Sequence, residues 1–556
     1  MALNCISIHR RADGHRGGLH RALVLVLGLC WLSLLSPAEA HGQDTADPTE
    51  ELDTRAPFFA STYLPLGHWA YDVLGSWVAS GRITTLSPFT TPYRRMDVAL
   101  ALEGLEPVEL SGAEAQWLER LRSELSAEMR ALATGEAPEP TASVQIRAGG
   151  TFFTQTHRDV LRPELDGEFG EASVLDEILG DADGQFGPVV FGVSPHRRGL
   201  YTEDPQFPGG RVVPRRAAPV LNELKLRAEE AYLELQSRYA RVAFGRQYKN
   251  WGLPGQHGFL RSDYAYSQDE ISYRFGSDRV FLAGSVASYS DFGADTTHYV
   301  STHRLEIRPS PDFLFALSEA AVHGGPSQGL NFSLINPVGI WQIAVEDGPG
   351  GLAFNKVGQI DLWWRAKPGV AVYGSLLADA TNESGSCCQL GGSLGLQLGR
   401  LAPGLSLRLS GSAIQSLAYR TLLPWEEYSV NRIGLGWDKT DLYLFSAQAD
   451  WLAGPELILR PRIEVQIRGE GDFRLLRPEG DLSDFDPILL GEPENTVRVA
   501  LGGRWRSAAR FGLDLEWDIG VNSISDFRNA VGDDRTEIVG SVKAVLFTPR
   551  WSFSLD

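Results

Sequence analysis

The sequence predicts an all-β fold: a transmembrane antiparallel up-and-down β-barrel of 16–18 strands, with a small N-terminal helical module. Three observations predict it. Apolar and charged residues alternate strictly in segment after segment. The connections between those segments alternate between tight and long. No run of 18 apolar residues follows the first 40, so strands rather than helices would have to cross a membrane.

The alternation is clearest in Arg510–Asn522. There Phe511, Leu513, Leu515, Trp517, Ile519 and Val521 interleave with Arg510, Gly512, Asp514, Glu516, Asp518, Gly520 and Asn522. Successive strand side chains point to opposite faces, so one face is apolar and the other wet. Three carboxylates on one face are too many for a protein core. The template recurs. Tyr443, Phe445, Ala447, Ala449 and Trp451 oppose Ser446, Gln448 and Asp450. Leu457, Leu459, Ile463, Val465 and Ile467 oppose Arg460, Arg462, Glu464 and Arg468. Val497, Val499, Leu501 and Trp505 oppose Arg498, Arg504 and Arg506. A soluble sandwich explains alternation but not a charged face sustained from strand to strand.

Taken in order, the chain opens on Arg10, Arg11, Arg16 and Arg21, an apolar run over 22–35, and Ser36-Pro37-Ala38-Glu39-Ala40. That is a signal peptide over 1–40. Cys30 follows Leu29, which is too large for a lipoprotein site. Removing the leader takes away four Arg and two acidic residues, bringing the net charge from −19 to −21. Such a balance argues against nucleic acid as a partner. Residues 41–60 read as a flexible lead-in.

Residues 61–134 read as the helical module, placed in the periplasm. One helix carries Trp69, Val73, Leu74, Trp77 and Val78 on one face and ends at Gly81. A second fits Arg94–Leu105, with Met96, Ala99, Leu100 and Leu102 as its apolar set. A third runs from the N-cap Ser111 through Trp117, Leu118, Leu121, Leu125 and Met129.

The barrel is placed at 142–556. Its strands fall near 142–154, 219–236, 239–248, 268–275, 279–290, 297–308, 312–324, 355–366, 369–380, 389–400, 404–418, 441–452, 456–470, 494–506, 510–523 and 536–548. These are 16. The long 155–218 connection has room for two more, with 187–193 one candidate. Tight turns such as 237–238, 309–311 and 367–368 are rich in Gly, Pro, Ser and Asp. Long connections include 249–267, 325–354, 419–440 and 471–493. Short turns at one end and long loops at the other are the outer-membrane pattern, and Tyr443 and Trp451 suit interfacial girdles. The 59 glycines and a mean hydropathy of −0.15 agree, because half of each strand faces a polar interior. Cys387 and Cys388 are adjacent in a loop. They can close a vicinal disulfide, pair between molecules or stay reduced; an oxidised loop feature without chemistry is the reading adopted.

Residues 245–270 read GRQYKNWGLPGQHGFLRSDYAYSQDE. Gly245-Arg246, Trp251-Gly252, Gly255 and Ser262-Asp263 resemble elements of the capsule-assembly outer-membrane proteins called Wzi-type. Ser318-Glu319, Asn336-Pro337, Asp361 and the stretch from Tyr373 to Asp379 follow in the same order, and Pro65–Tyr71 is similar to that family's N-terminal segment. Two departures stand out. An extra residue, Leu253 or Pro254, interrupts the usual Trp-Gly-Pro-Gly order, and the chain ends Trp551-Ser552-Phe553-Ser554-Leu555-Asp556 rather than on an aromatic residue. The resemblance implies a barrel whose loops plug its mouth and whose role is non-enzymatic. It would bind capsular or exported polysaccharide, as a lectin does, and attach it to the cell surface.

A sugar site needs aromatic faces and planar polar groups. Arg246, Trp251, His257, Arg261 and Asp263 supply both, and Asn336 and Trp341 add to them. A structural alternative is that Arg246 and Asp263 form a buried ion pair with Trp251 packed upon it. Ser262, Asp263 and His257 also invite a hydrolase reading, but proximity in sequence does not set a nucleophile against its base, and no G-x-S-x-G element is evident. A diffusion channel is the remaining alternative, suited by the charged lumen face. No P-loop, dinucleotide fingerprint or zinc spacing appears, so no cofactor or metal is expected. The expected partners are surface polysaccharide, outer-membrane lipid and the barrel-assembly machinery, with the barrel a monomer in the cell outer membrane.

Overall fold

The computed structural model describes residues 58–154, 172–200, 225–252, 256–289, 297–325, 354–380, 389–430, 433–437, 439–478, 488–509 and 511–555, with 329, 330, 334, 336 and 337. The leader, most of the lead-in, Gly255, Trp341 and the Cys387-Cys388 pair lie outside them.

Eighteen antiparallel strands close a barrel. They are β1 (Thr141–Thr154), β2 (Ala172–Phe186), β3 (Val189–Leu200), β4 (Lys225–Gln236), β5 (Ala240–Arg246) and β6 (Glu270–Gly276). There follow β7 (Val280–Tyr289), β8 (His298–Ser310), β9 (Phe313–Gly324), β10 (Asn355–Lys367), β11 (Val370–Ala380) and β12 (Gln389–Ala402). The last six are β13 (Leu405–Ile414), β14 (Leu442–Leu452), β15 (Leu457–Arg468), β16 (Glu494–Arg506), β17 (Gly512–Ser525) and β18 (Arg535–Phe547), the last continued by Trp551–Ser554. Each strand pairs with the next, and β1 pairs with both β2 and β18 to complete the ring. The higher strand number is therefore the observed one. β2 and β3 are the two strands within 155–218, and the candidate at 187–193 covers their turn and the start of β3.

Strand faces are as the alternation requires. In β17, Ile519 and Val521 stand on the outer surface while Asp514, Glu516 and Asp518 join ion pairs in the lumen. Leu317, Ile360, Leu376, Leu409, Phe445, Ile463, Val499 and Leu546 extend the apolar outer band round the ring. Among the described residues no helix is long and apolar enough to cross a membrane.

Among the described residues four helices precede β1: α1 (Ala70–Ser80), α2 (Arg95–Glu103), α3 (Gly112–Glu124) and α4 (Ser126–Thr134). Ser111 caps α3 in a full capping box with Glu114, and Gly81 ends α1 with φ 74°. Two details differ from the pattern. The third predicted helix is broken at Leu125, where α3 gives way to α4. In α2 the buried apolar side chains are Met96, Val98, Ala99, Ala101 and Leu102, and Leu100 faces out.

Phe58–Asp556 is one compact unit, and the helices sit in the short-turn end of the barrel. Trp69, Val73, Leu74, Trp77, Trp117 and Leu121 bury one another and pack on Leu452 and Ile458 of the wall. Polar anchors ring this core. Trp117 Nε1 donates to Gly454 O at 2.9 Å, Arg400 Nε to Ser80 O at 3.0 Å, and Arg308 to the carbonyls of Thr84 and Thr85 at 2.7 Å each. Gly399 of β12 lies so close to α1 that a Cβ there would meet Ser80 N at 2.3 Å. The backbones can approach this far only without a side chain. Gly399→Val is therefore expected to cost about 1–3 kcal/mol through overpacking. Limited proteolysis checks it: cleavage within 70–81 should rise while the barrel keeps its heat-modifiable mobility on gels.

Candidate functional site in the lumen

The connection between β5 and β6 turns inward. Asn250–Trp251 in this loop pairs antiparallel with Thr90–Thr91 of the N-terminal segment, Thr90 opposite Trp251. Asn250 clasps its own loop, its Oδ1 accepting from Gly258 N and its Nδ2 donating to Gln256 O, both at 2.9 Å. Trp251 N donates to Arg261 O at 2.9 Å.

A buried polar circuit fixes this meeting point to the wall. Thr90 Oγ1 donates to Glu306 Oε2 at 2.6 Å. Glu306 accepts from Arg304 at 3.3 Å, and Arg304 also donates to Asp361 Oδ2 at 2.6 Å and Ser318 Oγ at 2.9 Å. Asp361 Oδ1 accepts from Gln359 Nε2 at 2.6 Å, and the same amide donates to Trp251 O at 3.1 Å. Arg304, Glu306 and Asp361 are wholly buried. The N-terminal segment, which forms a plug in the bore, the loop and strands β8–β10 are thereby joined in one ring of contacts.

A second loop, 415–441, closes over the first. Tyr419 and Tyr428 donate their hydroxyls to Phe259 O and Leu260 O at 2.7 Å each. Ser262 N donates to Leu435 O at 3.0 Å, and Asp379 accepts from Tyr419 N at 2.6 Å. Phe259, Leu260, Tyr419, Tyr428, Ile433 and Phe473 form the apolar core of this cap.

The predicted sugar-contacting residues divide. Trp251 is buried, with the guanidinium groups of Arg261 and Arg304 at 5.8 and 5.7 Å from its ring centre. Arg261 is committed to Glu270 at 2.6 Å and Ser285 at 2.8 Å. Arg246 pairs with Asp269, not with Asp263, so the buried pair considered from the sequence is replaced by one at the strand end. Asp263 instead meets His257 Nδ1 at 3.0 Å, and both are substantially exposed. Ser262 Oγ accepts from Tyr264 N at 2.9 Å. Asn336 is exposed in its loop. Thr90, Arg304, Glu306 and Gln359 were not singled out from the sequence. The signal of the last three, charged and amide residues on the wet face of a strand, is shared by most of the barrel.

Beside the plug a cavity of about 890 Å³ remains along β1–β4 and β16–β18. Arg147, Asp181, Tyr232, Arg504, Asp514 and Lys543 are among its walls, and it reaches Tyr248 and Asp263 at its inner end. On its floor His68 and Glu124 meet at 2.8 Å. Burial holds the His68 imidazole below its ordinary value, against the opposing pull of Glu124. Burial opposes the Glu124 charge, but the His68 contact, Arg95 and Arg506 outweigh it and keep the carboxyl well below its usual range. Among the described residues no cluster has the makings of a metal site.

No protein family matches the chain, and no curated protein does. Among solved structures it is similar to Wzi, an Escherichia coli outer-membrane protein described as involved in group 1 capsule assembly and as a carbohydrate-binding β-barrel. The identity is 14%, covering 89% of this chain and 100% of that one, with a TM-score of 0.59. A BenF-like porin from Pseudomonas fluorescens Pf-5 has 11% identity over 74% of this chain and 99% of its own, at a TM-score of 0.43. The outer-membrane protein OpdK of Pseudomonas aeruginosa has 9% identity over 75% and 99%, also at 0.43. The first likeness is one of fold.

Two substitutions test the circuit. Arg304→Met leaves Glu306 and Asp361 buried without their cation and is expected to destabilise by about 3–5 kcal/mol, read from urea unfolding in detergent. Trp251→Ala should expose the inward loop to protease and cost about 3–5 kcal/mol, whereas His257→Ala should leave both readouts unchanged.

Proposed function

We propose that this chain is an outer-membrane barrel that binds capsular or exported polysaccharide and attaches it to the cell surface without catalysing a reaction. The observation that carries this reading is the meeting of Thr90–Thr91 with Asn250–Trp251 inside the lumen. A barrel built for free diffusion gains nothing from filling its own bore from both ends. A barrel that displays rigid loops does, because loops anchored to a plug lose less freedom when they bind. The shared fold with a carbohydrate-binding barrel agrees with it.

In this reading the short turns and helices face the periplasm, the long loops face outward, and residues 1–40 are removed on export. The barrel is inserted by the barrel-assembly machinery and works as a monomer of the Wzi type. Arg246, His257, Asp263 and Asn336 are the sugar contacts on the loops, with Trp251 and Arg261 holding the loop that presents them. Trp341 belongs to the same set. The His257–Asp263 pair serves hydroxyl recognition, since Ser262 Oγ is already engaged by Tyr264 N–H.

A diffusion channel is the second reading, favoured by the cavity beside the plug. Two measurements separate them. Deleting the gene should release surface polysaccharide into the medium, and purified protein in a planar bilayer should show little or no ion conductance. Large, steady conductance with unchanged polysaccharide retention would replace the first reading by the second.

A further inference from the structure

The cavity beside the plug has a chemistry of its own. Its described lining carries seven Lys and Arg side chains and nine Asp and Glu, so the opposing charges nearly cancel. Every one of the seven cations is already paired. Arg147 meets Asp181 at 2.6 Å, Arg506 meets Asp514 at 2.7 Å, Arg504 meets Asp514 at 3.0 Å, and Arg95 meets Glu128 at 2.6 Å. Arg120 holds Glu456 at 3.2 Å, Arg550 holds Asp183, and Lys543 holds Glu177. A free anion entering this space would have to break a pair to gain one.

A polyol would not. A guanidinium–carboxylate pair keeps donors and acceptors directed outward after pairing, and a sugar hydroxyl both donates and accepts. Tyr63, Tyr232, Tyr248 and Phe547 bring aromatic rings to the same lining, which suits the C–H faces of a sugar ring. The volume, about 890 Å³, lies within the range of sites for small organic ligands. The cavity extends to the exposed short-turn rim, where Ala508, Ala509 and Ser552 line it. It is thus entered from the end opposite the long loops.

We infer that this cavity is a second carbohydrate site, one that takes a short uncharged oligosaccharide segment from the short-turn side. The inference rests on the polysaccharide-binding reading but assigns the contact to the lumen rather than to the loops. Two exposed positions on the plug, Ser123 and Ala127, line the cavity and take part in none of its ion pairs. Ser123→Trp and Ala127→Trp place bulk in the space at little expense to the fold, and Ala127→Ser is the matched control.

The test is calorimetric titration of the purified full-length chain in detergent. The ligands are the producing strain's surface polysaccharide, neutral glucan oligosaccharides and anionic oligogalacturonate. Neutral oligosaccharides are expected to bind with less than twofold change between 50 mM and 500 mM NaCl, because no net charge is screened. Each Trp variant should weaken them at least tenfold, and Ala127→Ser should match wild type. Wild-type affinity retained in both Trp variants overturns the cavity site and leaves the loop reading standing. Binding restricted to the anionic ligand and lost at high salt overturns the assignment of ligand class. Failure of wild type to bind any ligand, the native polysaccharide included, overturns the polysaccharide reading itself.

Discussion

Everything inside this barrel depends on one buried guanidinium. Arg304 sits without solvent contact between Glu306 and Asp361, both equally buried. Desolvating three charges is expensive, and each partner that pairs or hydrogen-bonds with them offsets part of that cost. Here satisfaction needs partners from three parts of the chain. Thr90 donates to Glu306 Oε2, while Glu306 Oε1 has no hydrogen-bond partner among the described residues, and Gln359, held against Trp251 O, donates to Asp361. If plug or loop were displaced, part of the circuit would be left unsatisfied. The network therefore sets register more than it adds stability, since an apolar cluster of equal volume would stabilise as well. What an apolar cluster would not do is specify that Thr90 lies opposite Trp251.

How much of this was legible depends on the length scale of the signal. Strand identity is written in a period of two, and lipid outside a polar lumen keeps that period clean. Segments such as Glu494–Arg506 and Leu442–Leu452 were therefore located to within a residue or so. β2 carries no clear alternation, because its outer face has Gly180, Ala182 and Gly184 beside Ile178, while Leu179 lines the lumen. Small residues outside and a leucine inside erase the contrast on which the reading relied. β3 shows in the sequence only over its first part, within 187–193, because Pro195 and a register shift at Ser194 interrupt its alternation.

The interior was legible in residue type but not in direction. Trp251, Arg261 and Asp263 were picked out as the aromatic and planar groups of a sugar site, and they do cluster. Two of them, however, turn into the protein. That Trp251 faces Thr90, far away in sequence, leaves no trace in local pattern. The same holds for Arg246, whose partner is Asp269 rather than the nearer Asp263. The ordered motifs carried more information than their chemistry did. Ser318 and Asp361 hold Arg304, Asp379 holds the 415–441 loop through Tyr419 N, and Tyr373 accepts from Gln256 at 3.4 Å. Those positions support the plug and its loops. Residues that brace a scaffold can mark a likeness of architecture without naming a ligand.

The unequal filling of the lumen follows from the same contacts. The helices lean on β11–β15, drawn by Gly399, Leu452 and Ile458, and the inward loops brace against β8–β11. Both obstructions thus favour one side of the bore, and the wall formed by β1–β4 and β16–β18 is left facing water. A wall so rich in ionisable groups could hold net charge, as an ion pathway would require. Instead its cations are matched to carboxylates on neighbouring strands, as Arg147 is to Asp181 and Arg504 to Asp514. Cross-strand pairing weakens the field that would attract an anion while leaving a dense lattice of hydrogen-bonding groups. Selectivity in such a space belongs to ligands that add hydrogen bonds without displacing a charge, which separates a polyol from a salt before any single contact is considered.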